Sequence, residues 1–480
     1  MEYQYHKIIE KLKKRGSTPG LEPVRALLAA LKHPEEKIAV VHIAGTNGKG
    51  SVFAFLSAIL QEGGYRVGRY ISPTIHSYEE RFQINGQEIS PEKLEKYYVR
   101  MERAMEQMER TQQPPLRQPT LFEVETALAF LYFAEEQVDV ALIETGMGGT
   151  HDATNVVEHP LLTVISSVSY DHKAFLGDTL EEIAGEKAGI IKENVPVIVS
   201  ENMPEVCRVM KETADSKHAP CTFIRETDYQ IEEESVTGST FIWKKHRFSI
   251  FLPGQHQISN AVTALAAAEE LGKLLPAAGQ RELPAPGEAA RRESAGNALS
   301  PPKGAAWQAA GKITQQSAGE AARFIPETGK NLDWPALQNG LAAARWPGRL
   351  ELLGERPYTF RDGAHNPDGA RKLAQFLEKH FTNGRIIYIM GVLKDKEYEK
   401  MLAELMPLAS EIYTFRPNNE RGLSGEVLAA CAQRFGVPSH CCQDVNEAIR
   451  RGREKAEQED VIVICGSLSF MEEMEDTSWK

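Results

Sequence analysis

The chain has 480 residues, 42% hydrophobic and 25% charged, the composition of a globular protein too long for one core, so two domains are expected. Its 55 basic and 67 acidic side chains give a formal charge of −12, which excludes a broad nucleic-acid or anionic-membrane surface and leaves any anionic ligand to a local pocket. The first 15 residues are polar, no apolar run approaches spanning length, and the six cysteines (Cys207, Cys221, Cys431, Cys441, Cys442, Cys465) include no CxxC pair, so a cytoplasmic protein with reduced thiols and no membrane partner is expected.

Residues 38–43 form an apolar, strand-like run, and residues 52–64 an amphipathic helical one. Between them stand Ala44-Gly45-Thr46-Asn47-Gly48-Lys49-Gly50-Ser51. Strand, glycine turn, lysine, hydroxyl and helix together make a phosphate site: small residues let backbone N–H groups close on phosphate oxygens, the helix start adds partial positive charge, Lys49 supplies a full one, and the Ser51 hydroxyl can ligate Mg²⁺. Thr46, Asn47, Gly48, Lys49, Gly50 and Ser51 are the candidate nucleotide contacts. The loop is not a standard Walker A sequence, which would place glycine at Ile43 and Ser or Thr at Gly50.

Further along, 138–143, 161–165 and 195–199 are short, β-branched strand candidates, with helices expected at 120–136 and 179–192. Residues 228–252 read as β-hairpins around Gly238. The segment 276–323 is dominated by alanine, glycine and proline and reads as a disordered insertion. A second α/β series follows, with strands at 358–360, 385–390, 411–414 and 461–465 and helices at 367–381, 397–406, 425–435 and 445–456. The predicted class is α/β, a mostly parallel sheet covered on both faces over residues 1–345 and a smaller α/β domain over 346–480. Ligands of such sheets bind beyond the carboxyl ends of the strands, where Ser72, Glu144 and His172 stand. With Ser51 they offer oxygen and imidazole donors for a hard divalent cation beside the phosphates.

Six spaced motifs resemble the folylpolyglutamate synthase/dihydrofolate synthase family of the Mur ligase superfamily. They are residues 45–51 (GTNGKGS), 144–155 (ETGMGGTHDATN), Asp171-His172 with 185–192 (GEKAGIIK), 254–257 (GQHQ) with Asn260-Ala261, 346–351 (WPGRLE) and 362–367 (DGAHNP). The resemblance implies a P-loop ATPase domain, a C-terminal Rossmann-like domain, and a cleft in which ATP, a folate or dihydropteroate, and L-glutamate meet. It implies magnesium at two sites, held by Ser51, Ser72, Glu144, His172 and an N6-carboxylated Lys187. It further implies nucleotide contacts at Asn260, Arg349, Asp362 and His365, acceptor contacts at Arg81, Phe122 and Asp152, and a monomer. The pattern is departed from at Thr150-His151, where Arg and an apolar residue are expected, and at Thr74-Ile75, where His-Leu is expected.

The chemistry these parts suit is carboxylate activation by ATP followed by amide formation, with Lys49 and Mg²⁺ neutralising phosphate charge and closure of two lobes excluding water. The rival readings are a Mur-type ligase with another acceptor acid, and a nucleotide-binding regulator with a decayed site.

Overall fold

The computed structural model describes residues 3–16, 18, 20–111, 116–276 and 332–475. The insertion expected at 276–323 lies outside them except for Pro276. Eight strands form the first sheet, in the order Gln87–Glu88, Phe82–Ile84, Val67–Tyr70, Val140–Glu144, Val40–Ala44, Leu162–Ile165, Val197–Val199, Cys221–Phe223. Pairing is parallel from Val67–Tyr70 onward and antiparallel at the first two strands. Every residue of the central strands Val40–Ala44 and Val140–Glu144 is buried, His42 and Glu144 included, as their mostly apolar runs require of a sheet covered on both faces.

Helix Lys49–Glu62 packs on one face together with Gln255–Leu274 and Trp334–Ala343. Helix Leu121–Glu135, started by a Thr120–Glu123 capping box, packs with Glu22–Ala30 and Pro91–Thr111 around a second cluster. The expected hairpins are a three-stranded antiparallel sheet, Tyr229–Ser235, Gly238–Trp243 and His246–Ile250.

The second sheet runs Glu351–Glu355, Tyr358–Arg361, Val461–Cys465, Ile386–Met390, Ala409–Thr414, Ser439–Cys441, all parallel except the first strand. Both domains are therefore mostly parallel α/β layers, as expected. In the second sheet Glu351–Glu355 and Ser439–Cys441 went unforeseen, both edge strands whose polar or bulged sequences carry no apolar alternation, as did the short strands Phe82–Ile84, Gln87–Glu88 and Cys221–Phe223 of the first. The helix expected at 179–192 ends at Ala188. A Cβ at Gly189 would lie 2.1 Å from Thr150 Oγ1, so the chain turns there against the neighbouring loop. Among the described residues no helix is long and apolar enough to cross a membrane.

Candidate active site

Two glycines shape the phosphate loop. Gly45 has φ +150° and a Cβ on it would sit 1.9 Å from Ser166 Oγ, while Gly48 has φ +85° and its Cβ would sit 2.5 Å from Asn260 Oδ1. Gly48 begins helix Lys49–Glu62 without a capping side chain, so first-turn N–H groups are left for an anion. Lys49 folds back over the loop, donating Nζ to the carbonyls of Gly45 (3.1 Å) and Thr46 (3.4 Å). From helix Leu180–Ala188, Lys187 donates to the same Gly45 carbonyl at 2.9 Å. Burial lowers Lys49, and burial followed by the Lys49 charge pulls Lys187 down to about 7.

Glu144 closes its strand with Oε1 3.9 Å from Lys49 Nζ, and its Oε2 accepts the Ser72 backbone N–H at 3.2 Å. Burial raises this carboxyl against the pull of Lys49. An enclosed carboxylate oxygen whose nearest cation is that distant suits a hard divalent ion. Ser51 is buried in the first turn of the loop helix, and burial holds the His172 imidazole down at about 4, neutral and fit to ligate. Among the described residues, the group of His, Cys, Asp or Glu ligand atoms lying within 4.8 Å of one another is His33, Glu35 and Glu36 on the surface. Glu144 and His172 do not belong to such a group.

Asp171 ties the two lobes together. Lys396 Nζ lies 2.7 Å from its Oδ1, Asn366 Nδ2 donates to its Oδ2 at 3.3 Å, and His365 Nε2 stands 3.5 Å from Oδ2. Burial would raise the Asp171 carboxyl, but the His365 hydrogen bond and the Lys396 charge hold it far below the usual range. On the phosphate loop, Asn47 donates to Asp368 Oδ2 at 2.9 Å and accepts from Asn366 Nδ2 at 3.0 Å.

Two cavities open between the lobes. One, of about 960 Å³, is lined by Asn47, Gly48, Ser51, Asn260, Arg349 and Asp362; the other, of about 750 Å³, is lined by Ser72, Arg81, Phe122, Asp152, His172 and His365. Lys49 and Glu144 line neither cavity themselves, but Lys49 belongs to the loop that walls the first and Glu144 accepts the backbone N–H of Ser72, which lines the second. The nucleotide candidates and the acceptor candidates are thus gathered into separate chambers, with His365 on the acceptor side. Asp152 and Asp362 spend their oxygens on their own loops: Asp152 accepts from Met147 N (2.8 Å), Thr154 N (3.0 Å) and Thr154 Oγ1 (2.6 Å), and Asp362 from Leu350 N and Ala364 N at 2.8 Å each.

Residues 43–268 match the Mur ligase middle domain, and residues 348–468 the glutamate ligase domain of Mur ligases. The dihydrofolate synthase/folylpolyglutamate synthase of Bacillus subtilis (strain 168) is 36% identical over 468 residues, covering 96% of this chain and 95% of that protein. The chain belongs to the folylpolyglutamate synthase/dihydrofolate synthase family of Mur ligases. Among solved structures, Mycobacterium tuberculosis folylpolyglutamate synthase complexed with ADP and AMPPCP superposes with a TM-score of 0.77 at 28% identity, over 98% of this chain and 96% of that one. E. coli FolC in complex with DHPP and ADP gives 0.75 at 27%, over 98% and 95%.

Against the family pattern, the two departures fall differently. Thr150 is locked under the loop by bonds from its N (2.8 Å) and Oγ1 (3.1 Å) to the Glu186 carbonyl, whereas His151 lines the acceptor cavity with Nδ1 3.5 Å from Glu186 Oε2. Ile75 turns away from that cavity and packs into the apolar cluster of the second lobe. Lys396, Asn366 and Asp368 were not foreseen as site residues. Lys396 sits in the run Leu393-Lys394-Asp395-Lys396-Glu397, which reads as solvated charge, and its partner Asp171 is 225 positions away.

Proposed function

We propose that the acceptor's carboxylate oxygen attacks the γ-phosphorus of ATP at the Lys49–Glu144 junction, breaking the bond to the β-phosphate oxygen and releasing ADP. The α-amine of L-glutamate then adds to the acyl phosphate, loses a proton, and expels phosphate through a tetrahedral intermediate. The chain is an ATP-dependent Mur-type ligase that adds glutamate to folates. The observation carrying the mechanism is the 3.9 Å approach of Lys49 Nζ to Glu144 Oε1, each tied to a different chamber.

Within that frame Lys49 neutralises charge on the β- and γ-oxygens, and the first-turn N–H groups orient them. Arg81 and Phe122 meet the acceptor, Asp152 shapes its wall, and Asn260, Arg349 and Asp362 frame the nucleotide. Ser51, Ser72, Glu144, His172 and a carboxylated Lys187 would hold magnesium, which supplies Lewis-acid stabilisation of the transferring phosphoryl group. Carboxylation needs an unprotonated amine, and the pull of burial and Lys49 to about 7 supports it at Lys187. His365 reaches the transferred phosphate from the acceptor side, and closure of the lobes about residues 344–348 keeps water from the acyl phosphate.

Both dihydropteroate and tetrahydrofolate are proposed as acceptors, in line with the double name of the relative that is 36% identical. An ADP-release assay with ATP, Mg²⁺ and glutamate tests this. Glutamate-dependent turnover with each acceptor is expected; turnover with neither overturns the folate reading, and turnover with one restricts it.

A further inference from the structure

One buried carboxylate has no part in that scheme. Helix Leu121–Glu135 is apolar around nearly its whole circumference, yet Glu125 stands in it at 2% exposure. Burial raises its carboxyl, so a lone charge there is costly. Its compensation is a network aimed at the acceptor cavity: the Tyr78 hydroxyl donates to Oε1 at 2.6 Å, and Arg81 Nη1 lies 3.4 Å from Oε2. Tyr98 bonds the Tyr78 hydroxyl, and the Arg81 guanidinium stacks 5.6 Å from the Tyr78 ring centre. Burial would lower Arg81, and Glu125 together with Tyr70, Tyr78 and Tyr98 more than reverses that, so the guanidinium stays fully charged. Arg81 lines the acceptor cavity beside Ser72 and His172, and its charge acts on Glu144.

We propose that Glu125 is a positioning residue: it clamps the Arg81 fork from behind so that the guanidinium presents its free edge to the acceptor's carboxylate at the reacting end of the cavity. The proposal rests on the acceptor reading above. A guanidinium already fixed in one orientation loses little freedom when a carboxylate arrives, which is how Glu125 raises acceptor affinity without touching it. Among core positions of this helix an aliphatic side chain would pack at lower cost, and the Arg81 fork is what the carboxylate returns for it.

The test is steady-state kinetics on Glu125→Gln, which keeps shape and loses charge, with Arg81→Ala and the double variant. Glu125→Gln is expected to raise acceptor KM roughly tenfold, leaving the KM for ATP and the affinity for ADP unchanged. In the Arg81→Ala background the same substitution is expected to add nothing, because its effect passes through Arg81. Tyr78→Phe, which removes only the hydroxyl on Glu125, is expected to raise acceptor KM a few-fold and guards against a misfolded Glu125 variant. A lowered melting temperature with acceptor KM unmoved, or additive effects in the double variant, overturns the proposal. An unmoved acceptor KM in Arg81→Ala overturns the acceptor reading and the proposal together, whereas a raised KM there with none in Glu125→Gln overturns the proposal alone.

Discussion

Where the phosphate loop offers backbone N–H groups and a helix start, held by the fit of Gly45 and Gly48 against Ser166 and Asn260, the acceptor cavity is walled by side chains from both lobes that depend on one another. Lys396 is held by Asp171, Arg81 by Glu125, and Asp152 by Thr154. Backbone donors are fixed by φ and ψ and stay in place when side chains change. A wall of buried charges holds its shape only while every partner is present. The phosphate loop is therefore expected to survive most side-chain losses, and the acceptor chamber to fail with its partners.

Lys49 is the exception on the backbone-built side, since it supplies the one full charge of the loop. Lys49→Ala is expected to lower kcat by roughly a thousandfold, measured as glutamate-dependent ADP release. The fold should persist, because Glu144, already raised by burial, can take up a proton once its cation is gone. Wild-type turnover in that variant would break the mechanism. Next in size is Lys187→Arg, which keeps a cation but blocks carboxylation, and is expected to lower kcat on the order of a hundredfold. Isotopically labelled bicarbonate should give the wild-type protein a carbamate carbonyl signal by NMR that is absent from the variant. No such signal in the wild type would refute the carboxylated lysine.

The phosphate loop could be read from a window of eight residues because its strand, turn and helix are consecutive. So could the central strands of both sheets, whose largely β-branched runs are what double-sided burial demands. Ser72, Glu144 and His172 were legible from their places at strand ends. Lys187, Asn260, Arg349 and His365 were reached by resemblance, since a lysine in a helix with the sequence Leu-Glu-Glu-Ile-Ala-Gly-Glu-Lys-Ala has no local sign of its burial under the Gly45 carbonyl. Lys396 and Glu125 were not reached. Each acquires its meaning from a partner on another element, Asp171 and Arg81 respectively, and no periodicity encodes such a pair.

Lys396→Met sharpens the contrast between the chambers. The pair it breaks is nearly inaccessible, with side chains 6% and 8% exposed, so Asp171 would be left buried with its main cation gone. Stability is expected to fall by about 3 kcal/mol in urea unfolding. Acceptor KM should rise while ADP affinity, set by the loop backbone, stays within about twofold. Equal losses on both sides would show that the chambers are not independent.

The smallest expected effect concerns His42, on the central strand beneath the phosphate loop. It is fully buried, its Nε2 pairs with Thr154 Oγ1 at 2.8 Å, and that hydroxyl is committed to Asp152, so the imidazole carries its proton on Nε2. Burial pulls its pKa to about 3, from 6.5. Below pH 6.5 the unfolded chain gains a proton at this site and the folded chain does not, so stability drops as pH falls toward the folded value. The slope is at most about 1.4 kcal/mol per pH unit. Glu125, Glu144, Asp152 and Asp362, all raised by burial, act in the opposite sense, but they are common to wild type and variant and cancel in the difference. Asp171 is lowered and loses its contribution only below its ordinary value of 3.8. Urea unfolding of wild type and His42→Gln between about pH 6.5 and 4.5 should therefore show the variant's stability falling less steeply toward acid, by about 1 kcal/mol per unit. Parallel slopes would mean that His42 protonates in the folded protein, and that the chain of bonds running from the nucleotide strand to the acceptor wall is broken in solution.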